Sequence, residues 1–254
     1  MKKRLQFSLR FMFYASLPIA CLLCWLSFEI QRYLEDSWRY REDHPVMVGA
    51  AKNGGTAHFV ARDPKWLWAR FGDNVPRKGT ALWLSNSVIS DSQIAELETL
   101  SHIGGLHLDG TPVTNKGLVC LRNMVGLVDL GLSRTEVTEL PPLSHMKQLV
   151  KLDVSFSKVS NIDLNGLESL QNLYLRGTLI TDDTVAAFPP LPELLTLDIS
   201  GVAGRTPLVT DKGIQTITKD NFPKLKTLYI YYCDISDGEL SRLKTEFPML
   251  TVTR

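Results

Sequence analysis

With 254 residues, 44% of them hydrophobic and 22% charged, the chain can build a sizeable core and does not have the composition of a disordered polymer. A formal net charge of +1 argues against a nucleic-acid binder, which would need a strong basic excess on one face. The basic residues that do cluster, Lys2, Lys3, Arg4 and Arg10, have no acidic neighbour and stand before an apolar run.

That run, Phe11–Phe28 (FMFYASLPIACLLCWLSF), has 18 residues and no charge, and as a helix it would span roughly 27 Å, near the thickness of a bilayer core. Trp25 and Tyr33 suit a membrane interface. Four Lys and Arg residues precede the run, whereas Arg32, Arg39 and Arg41 are spread over the stretch behind it. The positive-inside rule then predicts a single-pass protein of the cell membrane with a cytoplasmic N-terminus and the remainder exported. A cleaved signal peptide is the alternative, but WLSFEIQ follows the run where a small-x-small site would be needed. A lipoprotein site is a weaker alternative, because the apolar run continues past Cys21. Pro18 would kink a membrane helix only mildly, and the CxxC spacing of Cys21 and Cys24 reads as incidental in an apolar helix.

Residues 1–30 are thus expected to form a basic tail and anchor, 31–78 a juxtamembrane helix and an N-terminal cap, and 79–254 the main domain. Within the cap, Asn53-Gly54-Gly55 is a turn signal, Thr56–Val60 a short strand, and Asp63-Pro64 a helix start opening Lys65–Phe71. Trp66, Leu67 and Phe71 would then cover the open N-terminal edge of the main domain.

The main domain repeats. GGLHLDGTPVT (Gly104–Thr114), VDLGLSRTEVT (Val128–Thr138), VKLDVSFSKVS (Val150–Ser160), QNLYLRGTLIT (Gln171–Thr181) and KTLYIYYCDIS (Lys226–Ser236) share one pattern. The first leucines of the LxL pairs are Leu82, Leu106, Leu130, Leu152, Leu173, Leu197, Leu228 and, in a truncated last unit, Leu250. Their spacings of 21–31 residues are in or near the range of a solenoid, in which each LxL is a short strand with its leucines turned inward. Three residues after the second leucine stand Ser87, Thr111, Thr135, Ser157, Thr178 and Cys233, placed to bond backbone groups at the turn. DSQIAEL (Asp91–Leu97), NKGLVCL (Asn115–Leu121), DDTVAAF (Asp182–Phe188) and TDKGIQTI (Thr210–Ile217) predict short return helices capped by the Asp or Asn. Pro141-Pro142 excludes a helix from ELPPLSHM (Glu139–Met146), and NIDLNGL (Asn161–Leu167) reads as extended too. Cys120 and Cys233 fall five units apart, over roughly 20 Å at the spacing of stacked strands, so no disulfide is expected between them.

These units resemble leucine-rich repeats of the cysteine-containing, ribonuclease-inhibitor-like class, whose consensus is LxxLxLxxTxITDxGLxxL. With RLQFSLR at Arg4–Arg10, the apolar run, Gly54-Gly55 and PKWL at Pro64–Leu67, nearly the full length is similar to membrane-anchored bacterial leucine-rich-repeat proteins of the planctomycete type. The resemblance implies an α/β solenoid with a parallel concave sheet and mixed helical and extended convex returns. It implies no particular activity. Two departures stand out: two central returns lack the DxGL element, and the sixth unit carries about seven extra residues, Val202–Leu208 (VAGRTPL).

Nothing in the chain has a catalytic pattern. His44, His58, His102, His107 and His145 fit no metal-ligand or nucleophile motif, and no phosphate-binding or GxSxG sequence occurs. Asp129, Asp153 and Asp198 would share the concave face as solvated surface charges. No cofactor, metal or nucleic acid is expected, and the chain is read as non-enzymatic. The concave positions carry more information. Small or scattered polar groups fill the first five units, whereas Tyr174, Arg176, Asp198, Tyr229 and Tyr231 gather toward the C-terminal end, with Phe156 and Tyr232 at strand ends. Tyrosine and arginine are the residues of binding hot spots, although tyrosine also suits a sheet for its own sake. The expectation is a protein or peptide partner on this face, gripped in addition by the insertion and its Arg205. The alternatives are a substrate-recruiting subunit of an enzyme complex and a structural component of the cell envelope.

Overall fold

The computed structural model describes residues 58–60, 81–99 and 103–254. The expected anchor Phe11–Phe28, the juxtamembrane helix and the helix at Lys65–Phe71 lie outside these residues. Among the described residues no helix is long and apolar enough to cross a membrane.

Nine three-residue strands form one sheet in strict chain order. β1 (His58–Val60) runs antiparallel to β2 (Ala81–Trp83), so the edge of the first repeat strand is paired. From β2 onward every neighbour is parallel: β3 (Gly105–His107), β4 (Asp129–Gly131), β5 (Lys151–Asp153), β6 (Asn172–Tyr174), β7 (Thr196–Asp198), β8 (Thr227–Tyr229) and β9 (Thr251–Thr253). The register aligns Leu82, Leu106, Leu130, Leu152, Leu173, Leu197 and Leu228 in a single column. A second column, Leu84, Leu108, Leu132, Val154, Leu175, Ile199 and Ile230, lies beside it, and both are buried. Side chains alternate along a strand, so two inward residues per unit leave the one between them on the concave face. The column ends on Val252, opposite Leu228, and not on Leu250 as the spacing suggested. The bond from Thr251 N–H to the Lys226 carbonyl (2.8 Å) sets that register and leaves Leu250 half-buried before the strand.

The turn hydroxyls close on the strand they leave. Ser87, Thr111, Thr135, Ser157 and Thr178 donate to the carbonyls of Leu84, Leu108, Leu132, Val154 and Leu175 at 2.5–2.7 Å. Cys233 departs from the series. Its thiol reaches across to the Ile199 carbonyl at 3.4 Å, in the unit where Val202 supplies no hydroxyl.

On the convex side, α1 (Asp91–Ala95), α2 (Asp182–Ala186), α3 (Asp211–Ile214) and α4 (Asp237–Glu246) are helical returns. Gly117–Asn123 is a 3₁₀ helix, the tighter form that short returns favour. The two returns at Glu139–Met146 and Asn161–Leu167 contain no helix. One expectation is corrected here: the acids do not cap these helices. Ser90, Thr181, Thr210 and Ser236 occupy the cap positions, and after the first three the following Asp reaches sideways into the next repeat. Asp91 accepts from Thr114 N–H (2.8 Å) and its hydroxyl (2.6 Å), and Asp211 from Ser236 N–H (2.8 Å). Asn115 does the same toward Thr138 N–H at 2.9 Å and caps nothing. A helix of four or five residues has its N-terminus beside the neighbouring turn, so a short carboxylate there can satisfy the neighbour's N–H groups.

Candidate functional site: the concave face and its insertion

Two clusters occupy the concave face. At the C-terminal end, Tyr229 closes β8 and Tyr231 follows two residues on, with ring centroids 6.4 Å apart and planes 16° from parallel. Arg176 lies 5.4 Å from the centre of the Tyr231 ring and 5.7 Å from that of Phe156, bridging the two aromatics. Arg134, which strand alternation alone does not single out, covers Phe156 from 5.4 Å. The Arg176 Nε is buried with no hydrogen-bond partner among the described residues. Tyr174 sits among Lys151, Tyr229, Asp153 and Asp198. Burial raises its phenol pKa, Lys151 pulls it back, and the tyrosine and the two carboxylates push it further up.

Asp198 is not the solvated surface charge the sequence suggested. It is only 8% exposed, and burial raises its pKa against the hydrogen bonds of Ser200 and the charge of Arg176, with Asp153 adding to the rise. Its Oδ1 accepts from Ser200 N–H at 2.9 Å, and Ser200 Oγ in turn accepts from Tyr231 N–H at 3.1 Å. This relay ties the carboxylate to the strand that carries the tyrosine pair.

Phe156 and Tyr232 are special in their backbone. Both lie at the second residue after the inward-facing pair, where the chain turns off the sheet in a left-handed conformation. Asn86, the glycines Gly110 and Gly177, and Arg134 (φ 55°) fill that place in other units. Phe156 (φ 58°) and Tyr232 (φ 56°) hold it with large aromatic rings, 40% and 53% exposed. A bulky residue at positive φ costs roughly 1–2 kcal/mol. Aligning the turn position across the units would have revealed this substitution in the sequence.

The insertion does not disturb the sheet. A turn closed by Arg205 N–H to the Val202 carbonyl (3.2 Å), with Gly204 at φ 76°, gives the loop a defined shape. Between it and the turn of the preceding unit lies a cavity of about 240 Å³, lined by residues that include Leu179, Ile180, Val202, Arg205, Leu208 and Cys233. Burial raises the Cys233 thiol to about 11, so it is a neutral thiol at ordinary pH.

The N-terminal end is not merely scattered polar groups. Trp83 stacks on His107 with ring centroids 3.7 Å apart and planes within 6°. His107 is 4% exposed, with Asp109 3.7 Å from one ring nitrogen and Asp129 3.6 Å from the other. Burial pushes the Asp109 pKa up, but His107, the Ser133 N–H and Ser85 outweigh it and leave it lowered. Gly131 is explained by this crowding, since a Cβ there would meet Asp109 Oδ2 at 2.7 Å and His107 Nδ1 at 2.8 Å. The register pairs Trp83 with His107, so their contact was implicit once the strands were aligned. Among the described residues no group of three or more His, Cys, Asp or Glu is placed to hold a metal ion.

Stacked strands in register, convex returns and side-chain-closed turns define a leucine-rich-repeat solenoid. Solved structures agree on this fold. An internalin of Listeria monocytogenes superposes with a TM-score of 0.50 at 20% identity, over 63% of this chain and 43% of that one. Internalin C2 of the same species gives 0.50 at 22% identity, over 70% of this chain and 84% of that one. This chain thus spans less than half of the first internalin. No protein-family model and no curated protein matches the sequence.

Proposed function

We propose that the repeats capture a protein or peptide through the C-terminal half of the concave face, with no reaction catalysed, and that Phe11–Phe28 displays them on the outer side of a cell membrane. The observation that carries this reading is the pair of exposed aromatics, Phe156 and Tyr232, held in left-handed turns that other units give to Gly, Asn or Arg134. Strained positions of this kind concentrate where a ligand is gripped. Tyr229, Tyr231 and Arg176 supply the aromatic and guanidinium surface that dominates protein-binding hot spots. The uncharged run and the bases before it support membrane display.

The test is chemical crosslinking of the full chain in its native membrane, followed by mass spectrometry, with Tyr229→Ala/Tyr231→Ala as comparison. The double variant is expected to lose the crosslinked partner while its thermal unfolding stays cooperative. An unchanged set of crosslinked proteins refutes the reading. For orientation, protease added to spheroplasts should digest the repeats, and protection would reverse the topology.

A further inference from the structure

We propose that the cavity beneath the insertion is a specificity pocket that takes one apolar side chain of a peptide whose flanking residues are acidic. This deepens the concave-face reading and rests on it.

The cavity, about 240 Å³, is large enough for a leucine, isoleucine or phenylalanine side chain and small for a cofactor. Its walls come from three units, with Leu179 and Ile180 of the fifth on one side, Val202 and Leu208 in the insertion of the sixth on the other, and Cys233 of the seventh. Leu179 and Leu208 are both exposed, an arrangement that only an occupant would relieve. The loop is shaped before anything binds, because the Val202–Arg205 turn is closed by its own hydrogen bond. A binding wall already in place avoids the ordering cost of closing on the ligand.

The cavity also adjoins the aromatic rim. A Cβ on Gly177 would come within 2.8 Å of Phe156 Cδ1 and 3.0 Å of Val202 Cγ2, so the ring and the loop meet over this one glycine. A peptide crossing Phe156 toward the cavity meets three guanidinium groups, those of Arg134, Arg176 and Arg205. None of the three forms an ion pair with a described residue; Glu136 and Asp183 are held by Lys158 and Lys212, and Asp198, which feels the charge of Arg176, is buried. Arg134 and Arg176 lie over the face of the Phe156 ring. Their terminal N–H groups make no hydrogen bond to a described residue and match a carboxylate, while the Nε of Arg176 is buried. An apolar hole ringed by guanidinium groups with no salt bridge among the described residues is complementary to an apolar residue between Asp or Glu residues.

The experiment uses the full chain in detergent and a random dodecapeptide library displayed on phage, followed by fluorescence anisotropy with the most enriched peptide. The expected result is enrichment of Leu, Ile, Met or Phe within two residues of Asp or Glu. Arg205→Glu should weaken binding by about tenfold or more, the size of one charge-assisted contact, and should shift selection toward basic peptides. Lys244→Glu, on the exposed convex helix, should leave binding unchanged and report on folding. If neutral or basic peptides enrich, or Arg205→Glu binds as the parent does, while Tyr229→Ala/Tyr231→Ala abolishes binding, the pocket proposal fails and the concave-face reading stands. If no peptide enriches, or every variant binds alike, both fail. Saturable, Arg205-dependent binding of dihexanoyl phosphatidylglycerol without any peptide enrichment would assign the surface to an anionic lipid and overturn the proposal.

Discussion

Asp182 grips Thr210 by both of its polar groups: the backbone N–H at 2.7 Å on one carboxylate oxygen and the hydroxyl at 2.7 Å on the other. The first oxygen also accepts from Gly213 N–H at 3.0 Å. These bonds join two consecutive units across the whole insertion. Asp182→Ala leaves part-buried donors without an acceptor, and should cost about 2 kcal/mol in urea unfolding. Asp183→Ala next door, whose partner Lys212 is fully in solvent, should unfold as the parent does. Equal behaviour of the two variants would show that the sideways carboxylate is not a clamp.

Tyr232→Gly should stabilise the fold and weaken partner capture together. Glycine relieves a left-handed backbone that costs roughly 1–2 kcal/mol for a bulky residue, and little packing is lost from a half-exposed ring. A gain of about 1 kcal/mol in thermal or urea unfolding, with loss of the crosslinked partner, is the signature of a residue kept for recognition. A loss of stability would mean that the ring packs more than it strains.

Asp198→Asn should raise stability near pH 7, and its advantage should shrink in acid. Burial lifts the folded-state pKa of Asp198 above its ordinary value, so the folded protein holds the proton more tightly than the unfolded chain. That group therefore costs stability as pH rises through its folded pKa, and the cost disappears below the unfolded value near 3.8. The amide removes the charge and keeps an oxygen for the Ser200 N–H. Thermal unfolding of parent and variant from pH 3 to pH 8 checks the convergence; parallel curves would contradict it.

Alkylation should separate the two described cysteines. Cys120 is buried, with its pKa raised to about 12, whereas half-buried Cys233 is raised to about 11. Iodoacetamide at pH 8 followed by peptide mapping should modify Cys233 slowly and Cys120 only after unfolding. A peptide seated in the cavity should slow Cys233 further, because its side chain lines that wall.

The ladder, its inward leucines and the insertion were all legible in the sequence, because a two-residue strand period repeated at fixed spacing leaves little freedom. The caps were misassigned for a local reason. In Thr181-Asp182 and Thr210-Asp211 either residue can accept an N–H, and only the neighbouring repeat shows that the Thr holds the cap position while the acid of Asp182 or Asp211 reaches outward. Val252 was missed because a truncated unit has no second leucine to mark its register. The tyrosines and Arg176 were found from strand alternation, but Arg134 was not: its left-handed turn swings it onto Phe156 from the adjoining unit. The Trp83–His107 stack depended on register, which identity alone does not reveal.

The insertion is pinned on both sides. Ahead of it the strand is in register with its neighbours, and behind it Thr210 is fastened to Asp182. The exposed residues 203–208 between those fixed points add nothing to the buried columns, so they can change in number and kind while the strands on either side keep their register. Doubling the length of such a loop costs only about 0.6 kcal/mol in closure entropy. The solenoid therefore has a socket for interchangeable segments: a lineage or an engineer could replace VAGRTPL and obtain a different grip on the same frame.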